Sequence, residues 1–258
     1  MSAVDTFSFF ALAVLVLVFF FTSVVGVVTG SNSLIAVPVM FQFGIDPRVA
    51  VATNMFGLTF MAVGGTLPFL RTGLLDRKRL PPLAALTILG SVLGACLVGI
   101  LSSRAISLIV SVSMILMTIF TLLRSRSGLE KPDNLTSTAG YIAFALTFIL
   151  GIYGGLFSGG YVTMLTAVFV AFLGMTFTEA IANTKLVNVF SSLTATLIFM
   201  WQGLVDYKLG LIIGVTMFIA AYAGARVVTK MNDLWLKRIF FATVILLAIK
   251  TIFDLTYK

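Results

Sequence analysis

Ten apolar runs limit what this chain can fold into. They lie at about 7–28, 33–43, 48–70, 82–101 and 104–124, and again at 138–156, 160–172, 179–200, 209–229 and 235–255. An apolar α-helix needs about 20 residues to cross about 30 Å of hydrocarbon, and most of these runs are that long. Mean hydropathy is +1.14. Only 10% of the residues are charged, against about 25% in an average soluble domain. The short alternating strands of a membrane barrel are absent from the pattern. The sequence therefore predicts an all-α polytopic membrane protein with 8–10 transmembrane helices. The second run of each group of five is too short to span alone, so whether it crosses or re-enters stays open.

The charges fit that reading. The net charge is +8, but the bases sit in short connections between apolar runs. There they set topology and meet lipid headgroups, which argues against a nucleic-acid partner. Cys96 is the only cysteine and there is no histidine. That leaves no disulfide framework, no metal centre and no cofactor to expect. The run from Phe7 has no basic segment before it and reads as a first membrane segment rather than a cleaved signal. No phosphate-binding loop, metalloprotease motif or nucleophile elbow occurs, so no enzyme activity is expected.

The two groups of runs repeat at an offset of 130 residues. Gly30 falls on Gly160, Gly44 on Gly174, and "GLLDRK" (73–78) on "GLVDYK" (203–208). Polar residues are scarce here, so the last match is the informative one. The expected division is a first repeat at 1–125, a central cytoplasmic loop at 126–137 and a second repeat at 138–258. Basic residues swap between equivalent loops. Arg71, Arg77, Lys78 and Arg79 face only Lys208, while Arg104 faces Arg226, Lys230, Lys237 and Arg238. Equivalent loops should then lie on opposite sides, which is an inverted repeat with an odd number of crossings per half. Ten segments with both termini outside are expected.

Each half carries a break in its apolar pattern: "GVVTGSNSLIAVPV" (26–39) and "GIYGGLFSGGYVTML" (151–165). Broken backbone inside a bilayer needs protein or a wet cavity to satisfy it. A helix restarting there turns N–H groups and a positive dipole end toward the cavity, which suits an anion. The candidate ligands at the breaks are Gly30, Ser31, Asn32, Ser33, Ser158, Gly159 and Gly160. Packing of helices on small residues is the plainer reading of any one glycine. The following run adds Thr53 and Asn54 in half one, and Asn183, Thr184, Lys185 and Asn188 in half two. An ammonium in hydrocarbon costs about 2.5–3.5 kcal/mol. Either Lys185 snorkels to the surface, or it faces a cavity where an anion offsets its charge.

These segments, "TGSNSLIAVPV", "VAVATN", "GIYGGLFSGG" and "EAIANTKLVN", resemble the sulfite exporter TauE/SafE family over nearly the whole chain. Half one has Ser-Asn-Ser where that family often has three glycines, and half two lacks the proline. The resemblance implies transport of sulfite, sulfoacetate or other organosulfonates across the cytoplasmic membrane by alternating access, in the export direction. The expected partners are a small anionic substrate and the lipid bilayer, and the sequence is compatible with a homo-oligomer. An anion channel, or a permease for another small organic anion, is the alternative.

Overall fold

The computed structural model describes residues 3–5, 7–30, 32–125, 138–228, 230 and 238. Among them all regular structure is helical. Helices α1 (Phe9–Thr29), α2 (Asn32–Gln42), α3 (Pro47–Thr66), α4 (Leu80–Ile100) and α5 (Ser103–Ser125) come first. Helices α6 (Ala139–Leu156), α7 (Tyr161–Leu173), α8 (Phe177–Trp201) and α9 (Tyr207–Val228) follow. Six of them, α1, α3, α4, α6, α8 and α9, are long and apolar enough to cross a membrane. The expected last segment at 235–255, apart from Arg238, the central loop at 126–137 and Ser31 lie outside the described residues.

Large apolar side chains point outward. Leu89, Leu93 and Leu97 on α4 and Leu211, Val215 and Ile219 on α9 recur every four residues and are exposed. Four residues are about one helical turn, so each set forms a stripe along its helix. Asparagines, serines, threonines and Lys185 lie inside. Lipid, rather than water, is the solvent that such a surface matches.

Local chemistry sets the helix ends. The Ser8 hydroxyl accepts from Ala11 N–H at the start of α1. Pro47 opens α3, and the Asp46 carboxylate before it accepts from the N–H groups of Arg48 and Val49. Burial pushes the Asp46 carboxyl up, but the Ser103 hydroxyl, those two N–H groups and the Arg48 guanidinium outweigh it and hold it below its ordinary value. Thr176 and Glu179 form a reciprocal capping box at the start of α8. Glu179 is therefore spent at the helix end and does not pair with Lys185. Among the described residues six glycines have positive φ, and they fall into three pairs at the 130-residue offset: Gly30 and Gly160, Gly44 and Gly174, Gly73 and Gly203.

Two hydrogen bonds orient the central helices. Asp76 N–H, beyond the end of α3, donates to Asn183 Oδ1 near the start of α8 at 2.9 Å. Asp206 N–H, beyond the end of α8, donates to Thr53 Oγ1 near the start of α3 at 3.0 Å. So α3 and α8 lie antiparallel, and the two bonds are themselves 130 residues apart in both partners. Asp76 and Asp206 both cap the turns that follow them. Lys208 pairs with Asp5 at 2.9 Å rather than with Asp206.

The chain then sorts into two ends. Ala3 N–H donates to Asp206, and the Ser103 hydroxyl to Asp46. Thus the start of α1, the end of α2 and the loops before α5 and α9 share one end. The Arg79 guanidinium donates to Leu173 O at 2.9 Å, which puts the basic 71–79 connection and the α7–α8 turn at the other. Helix α2 has 11 residues and rises only about 16 Å, half the hydrocarbon thickness. The short second run therefore neither spans nor re-enters by itself. It returns α1 to the end it came from, as the second arm of a helical hairpin.

Candidate functional site

The tip of this hairpin meets the break between α6 and α7. Gly30 ends α1 in the left-handed region, φ 64°, a conformation that suits glycine. A side chain there would also strike Val162 and sit 2.9 Å from Thr163 N, at the first turn of α7. The Thr163 hydroxyl donates to Thr29 O. The negative end of α1 thus abuts the positive end of α7, a favourable dipole contact.

Beside this contact is a small cavity of about 10 Å³. Gly26 and Gly30 of α1, Asn32 and Ser33 of α2, Ser158 of the second break, and Lys185 and Asn188 of α8 supply its polar lining. Leu58, Met61, Ala62 and Val162 close the apolar side. The volume is about enough for one water. An oxyanion is larger than this space.

Lys185 is 3% exposed. Its ammonium donates to Gly26 O at 2.9 Å. The side chain does not snorkel: it crosses from half two to the carbonyl end of α1. Gly26 O also accepts from Gly30 N–H at 2.9 Å, so one carbonyl holds both the helix cap and the lysine. One of the three ammonium donors is used there.

Six of the thirteen residues singled out in the sequence line this cavity: Gly30, Asn32, Ser33, Ser158, Lys185 and Asn188. Others support it from behind. Asn54 Nδ2 donates to Ser33 Oγ at 2.9 Å, which leaves the Ser33 proton free to point elsewhere. Thr184 contacts the Thr166 hydroxyl at 3.2 Å. Four lie elsewhere. Thr53 and Asn183 hold the two inter-half loops, and Asn183 also donates to Leu74 O and Glu179 O. Gly159 O accepts from the Tyr153 hydroxyl, and Gly160 packs against Met117. Ser31 is outside the described residues. Sequence reasoning missed Gly26, though it stands one helical turn before Gly30, the spacing that pairs a helix cap with its acceptor.

A larger open pocket of about 270 Å³ lies at the first end, lined by Arg48, Gly99, Trp201, Gln202 and Leu204. Its cation already has a carboxylate partner, Asp46, at 3.9 Å. The Lys185 cavity, where the two breaks meet, is the stronger site.

The family model described as sulfite exporter TauE/SafE matches residues 15–251. The chain belongs to that family. Among similar proteins, a probable membrane transporter protein from Sinorhizobium, ORF9, is 28% identical over 253 residues, covering 97% of this chain and 95% of its own length. A probable membrane transporter protein from Haemophilus influenzae is 24% identical, with 94% and 95% covered. The probable membrane transporter protein YfcA of Escherichia coli K12 is 25% identical, with 88% and 84% covered. No solved structure gives a significant match. The six membrane-length helices and these relatives make this TauE/SafE chain a multi-pass membrane protein of a transporter family.

Proposed function

We propose that this protein is a secondary transporter that exports small sulfur-containing anions, sulfite or organosulfonates such as sulfoacetate, by alternating access. The observation that carries the reading is Lys185. A buried ammonium sits where two helix breaks meet, it donates to a carbonyl, and among the described residues no carboxylate lines the cavity with it. An incoming anion offsets the charge. The remaining ammonium donors, the Ser33 and Ser158 hydroxyls and the first N–H groups of α2 are placed to receive its oxygens. A cavity of about 10 Å³, too small for an oxyanion, favours alternating access over a channel, which would keep the site open at both ends.

Two inverted repeats, 1–125 and 138–258 joined by the loop 126–137, supply the moving parts. Three features support this. Equivalent helices α3 and α8 are antiparallel, equivalent glycines share positive φ, and the α1–α2 hairpin leaves an odd count of crossings through α3, α4 and α5. With the basic 71–79 connection inside, both termini lie outside, and the two halves rock about the Lys185 cavity.

Two measurements test this reading. Purified protein should melt at higher temperature with sulfite or sulfoacetate than with an equal concentration of chloride. Indifference to every sulfur anion would remove the substrate assignment. For topology, a variant lacking Cys96 should label from outside at Lys208→Cys and stay protected at Arg77→Cys and Lys230→Cys. Labelling at Lys230→Cys with protection at Lys208→Cys would mean parallel halves.

A further inference from the structure

The Lys185 cavity holds more acceptors than an anion can use. Asn32 is 2% exposed. Its amide nitrogen donates to Thr22 Oγ1 at 3.1 Å and Ser23 Oγ at 2.8 Å. Thr22 spends its own proton on Val18 O at 2.7 Å, so it accepts from the Asn32 amide, and this fixes which way that amide points. Both amide hydrogens of Asn32 are committed, and its Oδ1 is buried without a hydrogen-bond partner. Asn188 is 5% exposed, and its Oδ1 is buried and unpartnered as well. Both residues line the cavity with Gly26, whose carbonyl belongs to the negative end of α1. A buried carbonyl left without a partner is costly. A fully deprotonated anion brings no proton to these oxygens and is repelled by them.

Taking the anion site as proposed above, we infer that the cavity binds a small monovalent cation of sodium size beside the anion, on Asn32 Oδ1, Asn188 Oδ1 and Gly26 O. Lys185 shows that the acceptor set takes positive charge: its ammonium occupies Gly26 O at 2.9 Å. When that ammonium turns to an anion, Gly26 O loses its cation and joins the two unpartnered amide oxygens. The charge count points the same way. Sulfoacetate carries two negative charges. Lys185 offsets one, and no other cationic side chain lines the cavity among the described residues. A cation brings the sum to zero, which a low-dielectric interior favours. Carbonyls at broken helix ends are suited to such an ion.

The test has two arms, both at constant chloride. In the first, sulfoacetate is titrated into purified protein in sodium chloride or choline chloride. Sodium should tighten binding at least about fivefold, the lower end of ordinary coupling between sites. Asn188→Leu copies Leu58 at the equivalent position and should abolish that difference. The second arm needs no anion substrate. In Lys185→Met the ammonium no longer competes for Gly26 O, so sodium chloride should raise the melting temperature above that in choline chloride. Equal affinities in the two salts, or equal melting of Lys185→Met, overturns the cation site. A sodium-dependent melting shift with no sulfoacetate binding in either salt overturns the anion reading instead.

Discussion

Lys185→Met is expected to fold and to lose most anion binding and transport. Methionine is the residue at the equivalent position of half one, Met55, so the substitution keeps length and removes charge. Gly26 O keeps its bond from Gly30 N–H, and the end of α1 stays capped. A charge-assisted contact contributes about 1.5–3 kcal/mol, so affinity should fall by about one to two decades. Lys185→Arg keeps the charge but presents a planar fork in a cavity fitted to a point charge, and should retain part of the binding. Binding isotherms at matched expression and melting temperature measure this. A Met variant that binds and transports normally would reduce the lysine to a strut between α8 and α1.

Gly94→Ala is expected to destabilise the protein severely. Helices α4 and α6 touch backbone to backbone. A Cβ at Gly94 would overlap the Ile152 carbonyl and lie 2.7 Å from Leu156 N, and one at Gly90 would lie 2.6 Å from Phe148 O. These neighbours are backbone and cannot rotate away, so the helices must separate. Overpacking of this kind costs about 1–3 kcal/mol or more. Without a hydrophobic driving force between helices in lipid, close packing is much of what holds them together. Gly224, at the position equivalent to Gly94, meets Val24 O of α1 at 2.8 Å, so Gly224→Ala should cost less. Among the described residues nothing lies within 4 Å of a Cβ at Gly140, and alanine there should be neutral or slightly stabilising. Melting temperatures in detergent should rank Gly140→Ala first, then Gly224→Ala, then Gly94→Ala. An unchanged melting temperature for Gly94→Ala would mean that α4 and α6 are not in contact as described.

Some of this was legible in the sequence because it depends on composition and short spacing. Apolar runs of membrane length follow from hydropathy alone, and six of them are helices that can span. The pairing of the two breaks could be read because glycine and serine stand out in an apolar background. The glycines at 30, 44, 73, 160, 174 and 203 take positive φ, a local property of glycine. An ammonium inside an apolar run is conspicuous for the same reason.

What only the tertiary structure decided is which polar groups share a space. Thr53 and Asn183 look like ligands in a linear reading, because they stand beside Asn54 and Lys185. On a helix, adjacent residues point in different directions. So Asn183 turns to the Asp76 loop and Lys185 to Gly26. The two breaks appear equivalent in sequence, yet α7 meets the end of α1 while α2 opens on the cavity. That asymmetry comes from contacts between residues more than a hundred positions apart, which local spacing does not encode. The destination of the Lys185 ammonium is of the same kind. Hydropathy says that a buried charge needs a partner, and only the tertiary structure, which brings Gly26 O of α1 within reach of the Lys185 side chain, says which one it has.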